Sequence, residues 1–319
     1  MGKEQFCERV AFGTAAISGD GGGYGFGKIE EKQAQSLLNC AYENGLRLFD
    51  TAPIYGFGLA EERLGRAFSG GRRSKVQIIS KAGVDWHRSG VQKNRVNMSN
   101  DPRLIERMLD ESLTRLKSDY IDVYMLHWPD RKVPVELSLE VLLEAKLKGK
   151  IRKIGYSNPD LLELKKACAF CEIDVVQVEC NFFNTAALDS IQFFSLSNNI
   201  EIQSWGSLDK GILSGRAIKG RSYDSCDARA WAPWWKKRNN NKRMEFVGKL
   251  KKEVLEENSI TLLQFASHYI SHKLQKGHSL YGLRTKEDLY ALKKAIEAPS
   301  PPVELFVRAE EMWKELSGL

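Results

Sequence analysis

Four titratable side chains in the first half of the sequence have the types needed for proton-transfer chemistry. Asp50, Lys81 and His127 lie at the ends of short runs rich in β-branched and aromatic residues, at 47–51, 76–81 and 121–127. Tyr55 follows in the loop Thr51-Ala-Pro-Ile-Tyr-Gly56. A phenol with a pKa of about 10 donates poorly at neutral pH unless its acidity is raised. A neighbouring ammonium stabilises phenolate, and a carboxylate paired with that ammonium keeps it charged and placed. One polar residue at a strand end is ordinarily structural. Four such groups on one rim need one another, because charge buried without a partner costs several kcal/mol.

The elements that must bring them together alternate along nearly the whole chain. Strand-like runs are read at 11–15, 47–51, 76–81, 121–127, 153–157, 175–181, 200–206 and 279–283, each short enough to be buried on both faces. Amphipathic stretches separate them. Leu104, Met108, Leu109, Leu113 and Leu116 fall at helical spacing after the start signal Asp101-Pro102, and Gly149 stops a second helix after Lys148. Eight strands with intervening helices and no break in composition predict a single domain over residues 1–319, an α/β fold of the (β/α)8 TIM-barrel type. Barrel sites form where strands end, so the four groups fall on the expected face. The stretch after the seventh strand, from Leu208 to Gly277, is enlarged and carries Trp231, Trp234 and Trp235, as a substrate loop would.

Composition narrows the functional classes. The 319 residues are 42% hydrophobic and 28% charged, near the averages for globular chains, which excludes collagen-like and disordered readings. No run approaches the ~18 apolar residues of a membrane span, and the first residues lack a signal-peptide core, so a soluble, cytoplasmic protein is expected. The net charge of +7 is modest, and the basic run 236–243 is Asn-rich without an aromatic platform, so nucleic acid is not an expected partner. The six cysteines read as reduced thiols, with Cys168 and Cys171 packing at i,i+3 on a helix. His268 and His272 share a helical face without a third ligand, so no metal is expected. The glycine-rich run 21–27 lacks the Gly-Lys-Ser/Thr ending of a phosphate loop.

The blocks Phe49-Asp-Thr-Ala-Pro-Ile-Tyr-Gly56, Glu61-Glu-Arg-Leu-Gly65, Ser80-Lys81, Leu126-His-Trp-Pro-Asp130 and Gly149–Asn158 together resemble the aldo-keto reductase superfamily. The likeness runs in order from about Val10 to Leu292. It implies a barrel that binds a nicotinamide cofactor, NADPH rather than NADH, without a Rossmann domain, and reduces a small carbonyl or runs the reverse on a sugar-like alcohol. Hydride transfer builds negative charge on the carbonyl oxygen, so a proton must meet it. The resemblance then makes Tyr55 the proton donor, Lys81 its electrostatic tuner, Asp50 the anchor of Lys81, and His127 the group that orients the carbonyl.

The same likeness assigns the cofactor contacts. Ser157, Asn158 and Gln177 resemble the residues that hold the carboxamide, and Trp205 the aromatic that stacks on the nicotinamide ring. Gly206, Leu208, Lys210, Gly211 and Leu213 fall in the pyrophosphate loop, with Ser207 where the family often has Pro. Gly13, Thr14 and Asp50 complete the inner wall. Arg284 and Thr285, with Lys286, sit at a helix N-terminus that would favour a 2′-phosphate. Asp288 joins them where relatives usually carry Gln or Glu, and Leu292 stands where they usually carry Asn. Tyr24, Trp86 and Trp128 are the expected substrate contacts. The alternative is a nucleotide-sensing regulatory subunit with little or no turnover. Oligomeric state is not legible.

Overall fold

A computed structural model of the chain describes residues 2–19, 24–86, 96–236 and 240–318; Gly21, Gly22, Gly23, His87 and the stretch 237–239 of the basic run lie outside the described residues. Eight strands form one closed barrel: β1 (Val10–Gly13), β2 (Leu48–Asp50), β3 (Gln77–Ala82), β4 (Ile121–Leu126), β5 (Ile151–Ser157), β6 (Val175–Glu179), β7 (Glu201–Trp205) and β8 (Gly277–Gly282). Every neighbouring pair is parallel, and β8 closes on β1 with Val10 opposite Ser279 and Phe12 opposite Tyr281.

Alternation along each strand separates two cores. Ala11, Leu48, Ile79, Val123, Met125, Val175 and Leu280 make an apolar cluster with Trp205, while their neighbours Phe12, Phe49, Ile78, Tyr124, Val176, Ile202 and Tyr281 belong to the larger core shared with the helices. Side chains two apart share a face, so a strand covered on both sides reads as an unbroken apolar run. Met125 fits because Gly155 on β5 has no side chain: a Cβ there would lie 2.4 Å from Met125 Cγ.

The helix start read at Asp101 is present. Its carboxylate accepts from the backbone N–H groups of Arg103 and Leu104 at 3.0 and 3.3 Å, opening the helix Pro102–Leu116. That helix packs on the helix Leu59–Ala67, and the contact explains the block Glu61–Gly65. Glu61 accepts from Arg115 Nε at 2.6 Å and from Ser80 Oγ at 2.6 Å. Arg63 donates to Glu31 at 2.8 Å and to the carbonyls of Ile29 and Ile17, which ties down the segment after β1.

Between β7 and β8 lie a tight turn at Asp209–Gly211 and the helices Ala228–Trp231, Pro233–Lys236, Asn240–Leu250 and Leu262–Lys273. They pack around a second core that includes Phe182, Leu213, Trp235, Phe246, Phe265, Tyr269 and Phe306. Beyond β3, Val84–Asp85 pairs antiparallel with Asn97–Met98. Among the described residues no helix is long and apolar enough to cross a membrane.

At Gly65 a Cβ would sit 2.5 Å from the carbonyl oxygen of Arg115 and 2.8 Å from the carbonyl carbon of Leu116, backbone atoms that cannot swing aside. Gly65→Ala is therefore expected to lower stability by about 1–3 kcal/mol, the range for overpacking. Urea titration should show a lower midpoint at unchanged slope; an unaltered midpoint would mean that the two helices separate freely.

Candidate active site

Asp50, Lys81 and His127 come to one end of the barrel because they stand at or just past the ends of β2, β3 and β4, and Tyr55 lies in the turn after β2. Lys81 Nζ donates to Asp50 Oδ2 at 2.6 Å and to the Thr51 carbonyl at 2.9 Å, with both side chains buried. The ammonium lies 5.5 Å from the centre of the Tyr55 ring. The imidazole of His127 meets that ring at 87°, centroids 6.0 Å apart. All four residues line one open cleft of about 1390 Å³, above the range of roughly 300–1,000 Å³ usual for small-molecule sites.

Burial sets the protonation states. It lowers the Lys81 pKa by disfavouring charge, and the adjacent Asp50 carboxylate opposes the fall. His127 is pushed well below its ordinary range, first by burial and then by the Lys81 charge, so it is neutral at neutral pH. Tyr55 differs from the sequence expectation of an acidified phenol. Burial raises its pKa far above the ordinary value, and the negative charge of Asp50 adds in the same direction. The folded site thus holds the phenol as a proton-bearing acid.

The ends of β5, β6 and β7 bring the expected carboxamide group together. Asn158 adopts a left-handed conformation (φ 60°), which Asn tolerates better than most residues. Its backbone N–H donates to the Gln177 carbonyl at 2.7 Å, and its Nδ2 to the His127 carbonyl at 3.1 Å. Its Oδ1 accepts from the Trp205 indole at 2.9 Å. Gln177 Nε2 donates to Asp50 Oδ2 at 2.7 Å, so the ion pair and the amide share one oxygen. Ser157, Gly13, Gly206, Leu208, Lys210 and Gly211 also line the cleft. Lys210 pairs with Glu179 and places its ammonium 5.1 Å from the Trp205 ring centre.

Several expected residues sit elsewhere or are engaged differently. Thr14, Leu213 and Trp86 are not on the cleft wall. Thr14 is buried, and its hydroxyl has no hydrogen-bond partner among the described residues. Leu213 belongs to the second core, and Trp86 packs on Phe57 with centroids 5.6 Å apart. Tyr24 and Trp128 do line the cleft, and Tyr24 leans on Trp231 at 5.6 Å.

At the helix Lys286–Glu297, Thr285 and Asp288 form a capping box. Asp288 Oδ2 accepts from the N–H groups of Arg284 and Thr285 at 3.1 and 3.2 Å, and Asp288 also pairs with Arg216. The positive helix end read as an anion site is met by its own carboxylate. The Arg284 guanidinium donates to the carbonyls of Ala16, Gly27 and Lys28 at 2.9, 3.2 and 2.7 Å, strapping the loop after β1.

Among residues that the sequence reading did not select, Arg229 is held by Asp227 at 2.7 Å on the cleft wall, and Gln203 lies beneath Gln177 at 2.9 Å. The two-residue spacing of Gln203 from Trp205 was the available signal for the latter. His268 bonds the Ala295 carbonyl at 3.1 Å and His272 lies against Phe306, while burial raises Cys168 and carries Cys171 to about 11.

The sequence model described as the Aldo/keto reductase family matches residues 9–305, and the chain belongs to that family. It is an oxidoreductase of the carbonyl-reducing class, whose members use nicotinamide cofactors. The aldo-keto reductase YhdN of Bacillus subtilis is 31% identical over 287 residues, covering 90% of this chain and 84% of its own. The NADH-specific methylglyoxal reductase of Escherichia coli is 32% identical over 250 residues, covering 75% of this chain and 74% of its own. Among solved structures, the glycerol dehydrogenase AKR11B4 of Gluconobacter oxydans superposes with a TM-score of 0.81 at 26% identity, covering 96% of this chain and 91% of that one.

Replacing Asp50 with Asn removes the charge and the charged hydrogen bond that do most to support the ammonium of the buried Lys81, and leaves only the smaller pull of Glu61. The expected loss is about 3–5 kcal/mol, the cost of breaking a buried ion pair. It should be largest below the pKa of Lys81 and shrink as pH rises through it, because a neutral amine no longer needs the carboxylate. A denaturation midpoint indifferent to pH would contradict this.

Proposed function

We propose that this chain is an NADPH-dependent reductase acting as one barrel unit, which converts an aldehyde, ketone or sugar-like carbonyl to the alcohol with Tyr55 as proton donor. The observation that carries the proposal is the buried Lys81–Asp50 pair, 2.6 Å apart, next to a protonated phenol that a neutral imidazole meets edge-on. The bound cofactor supplies the hydride.

Tyr55 keeps its proton at neutral pH until an alkoxide, a stronger base than any phenolate, forms beside it. Lys81 stabilises the phenolate left behind, and Asp50 keeps Lys81 charged against the cost of burial. Neutral His127 offers a ring N–H to the carbonyl oxygen and fixes its direction.

The residues present suit a dinucleotide. Ser157, Asn158 and Gln177 would hold the carboxamide, Trp205 would border the ring, and the turn Gly206–Gly211 would meet the pyrophosphate. Along the same cleft three lysines (Lys28, Lys81, Lys210) and five arginines (Arg216, Arg221, Arg229, Arg243, Arg284) outnumber Asp50, Glu179, Asp224, Asp227 and Asp288, which supports a cofactor with the additional 2′-phosphate. Because the E. coli relative is NADH-specific by name, this preference is a property to measure on this chain. Near Tyr55 the wall is formed by Tyr24, Ile54, Val84, Val96, Met98 and Trp128, an apolar and aromatic lining.

Tyr55→Phe is expected to reduce turnover by at least about 100-fold, close to 3 kcal/mol of barrier, while NADPH still quenches tryptophan fluorescence at similar concentrations. More than about one percent residual rate would remove Tyr55 from the donor role. In wild type, NADPH oxidation should run faster per unit concentration than NADH oxidation.

The pH profile has a definite sign. A lowered His127 pKa keeps the ring neutral, so reduction should be flat from about pH 6 to 8, without a limb at the ordinary histidine value. A raised Tyr55 pKa withholds the phenolate that oxidation needs, so alcohol oxidation should climb with pH across that window. An acid limb near pH ~6.5 in reduction would show that His127 titrates there.

A further inference from the structure

A polar column runs through the barrel interior below Asp50. Gln177 on β6 and Gln203 on β7 are direct neighbours in the strand register, and both are buried. Gln177 Nε2 donates to Asp50 Oδ2 at 2.7 Å and to Gln203 Oε1 at 2.9 Å. Gln203 Nε2 donates to Glu201 Oε1 at 2.9 Å, and the same oxygen meets His278 Nδ1 at 2.8 Å. Glu201 opens β7 at the opposite end of the barrel from Tyr55 and is partly exposed.

Hydrogen-bond polarity along this column is fixed from both ends. An ionised carboxylate only accepts, so Asp50 requires an N–H from Gln177 and Glu201 requires an N–H from Gln203. Gln203 then turns its oxygen to Gln177, which meets it with the second N–H of the same amide. A reversed Gln177 would set its oxygen against Asp50 and against Gln203 Oε1, two repulsive contacts rather than one. Both amide protons of Gln177 are thereby committed inside the protein. No donor among the described residues reaches its Oε1, and Gln177 lines the cleft.

We infer that Glu201 and Gln203 are positioning residues that fix the Gln177 amide as a pure hydrogen-bond acceptor, so that the site selects a pyridine cofactor whose ring substituent donates N–H over one whose substituent only accepts. The inference rests on the proposed nicotinamide-dependent reading and deepens it: a carboxamide is recognised through its nitrogen, and a methyl ketone in its place finds two acceptors facing each other.

Binding without turnover tests this, using tryptophan quenching by NADP+ and by its 3-acetylpyridine analogue. Wild type should bind NADP+ about tenfold more tightly, as one hydrogen bond exchanged for an unpaired acceptor sustains. In Gln203→Leu, Asp50 still holds one N–H of Gln177, but the second loses its acceptor and is free to swing toward the ketone, so the ratio should fall to about twofold or less. Because a leucine inside the barrel can disturb folding, two changes at the partly exposed end provide a second arm. Glu201→Gln keeps an acceptor for Gln203 and should retain the wild-type ratio, whereas Glu201→Leu should lose it. Equal weakening of both ligands in Gln203→Leu and Glu201→Leu, with the ratio intact, would assign the column a purely structural role and overturn the inference. Wild type binding both ligands equally would also overturn it while leaving the reductase reading in place. Failure of wild type to bind NADP+ at all would bring down that reading itself, and the inference with it.

Discussion

The site depends on the burial of one ion pair. An ammonium and a carboxylate withdrawn from water lose hydration worth several kcal/mol each, and their attraction offsets this only when the remaining hydrogen-bonding positions are filled. Here Lys81 divides its donors between Asp50 and the Thr51 carbonyl, and Asp50 Oδ2 receives both Lys81 and Gln177. Side chains from three strands must meet for this to happen, two from hydrogen-bonded neighbours and one from across the barrel. Barrel closure enforces that meeting: β2 and β3 are hydrogen-bonded neighbours, and β6 faces them across an interior that its own side chains fill.

The eight strands were legible because burial on both faces imprints each with a dense local signal. Their ends were less so. The first run was read to Ala15, whereas β1 stops at Gly13 and Thr14–Ile17 turns into a 3-10 helix under the hold that Arg63 and Arg284 keep on neighbouring carbonyls. Those arginines are 46 and more residues away, so nothing local announces the stop. The segment between β7 and β8 posed the same difficulty. Its helices pack on Phe182 and Phe306, from either side in sequence, and its own pattern is mainly polar and tryptophan-rich.

Within the site, residues that stand at strand ends could be named from type and position. Those that act from inside the barrel could not. Gln203 occupies the middle of β7, where sequence pattern predicts filling rather than recognition, and only its inward parity with Glu201 and Trp205 marks it. Arg284 is the converse case. Sequence reveals a positive charge at a helix start, but not three carbonyls already accepting from it, nor the Asp288 carboxylate already seated on the helix end. Tyr55 belongs with these, since acidity depends on how much water the fold removes, and here burial and the Asp50 charge both raise its pKa.

Stability does not account for the polar column. Seven apolar side chains and Trp205 already fill much of the barrel interior, and an apolar residue in place of a buried ionic or amide group is often neutral or stabilising. What the column provides is orientation. A carboxylate at each end leaves two glutamines with a single favourable arrangement, and the shared Asp50 oxygen links that arrangement to the charge state of Lys81. Proton-transfer groups and ring-recognition groups are therefore ordered by the same bonds, so that disturbing either moves both.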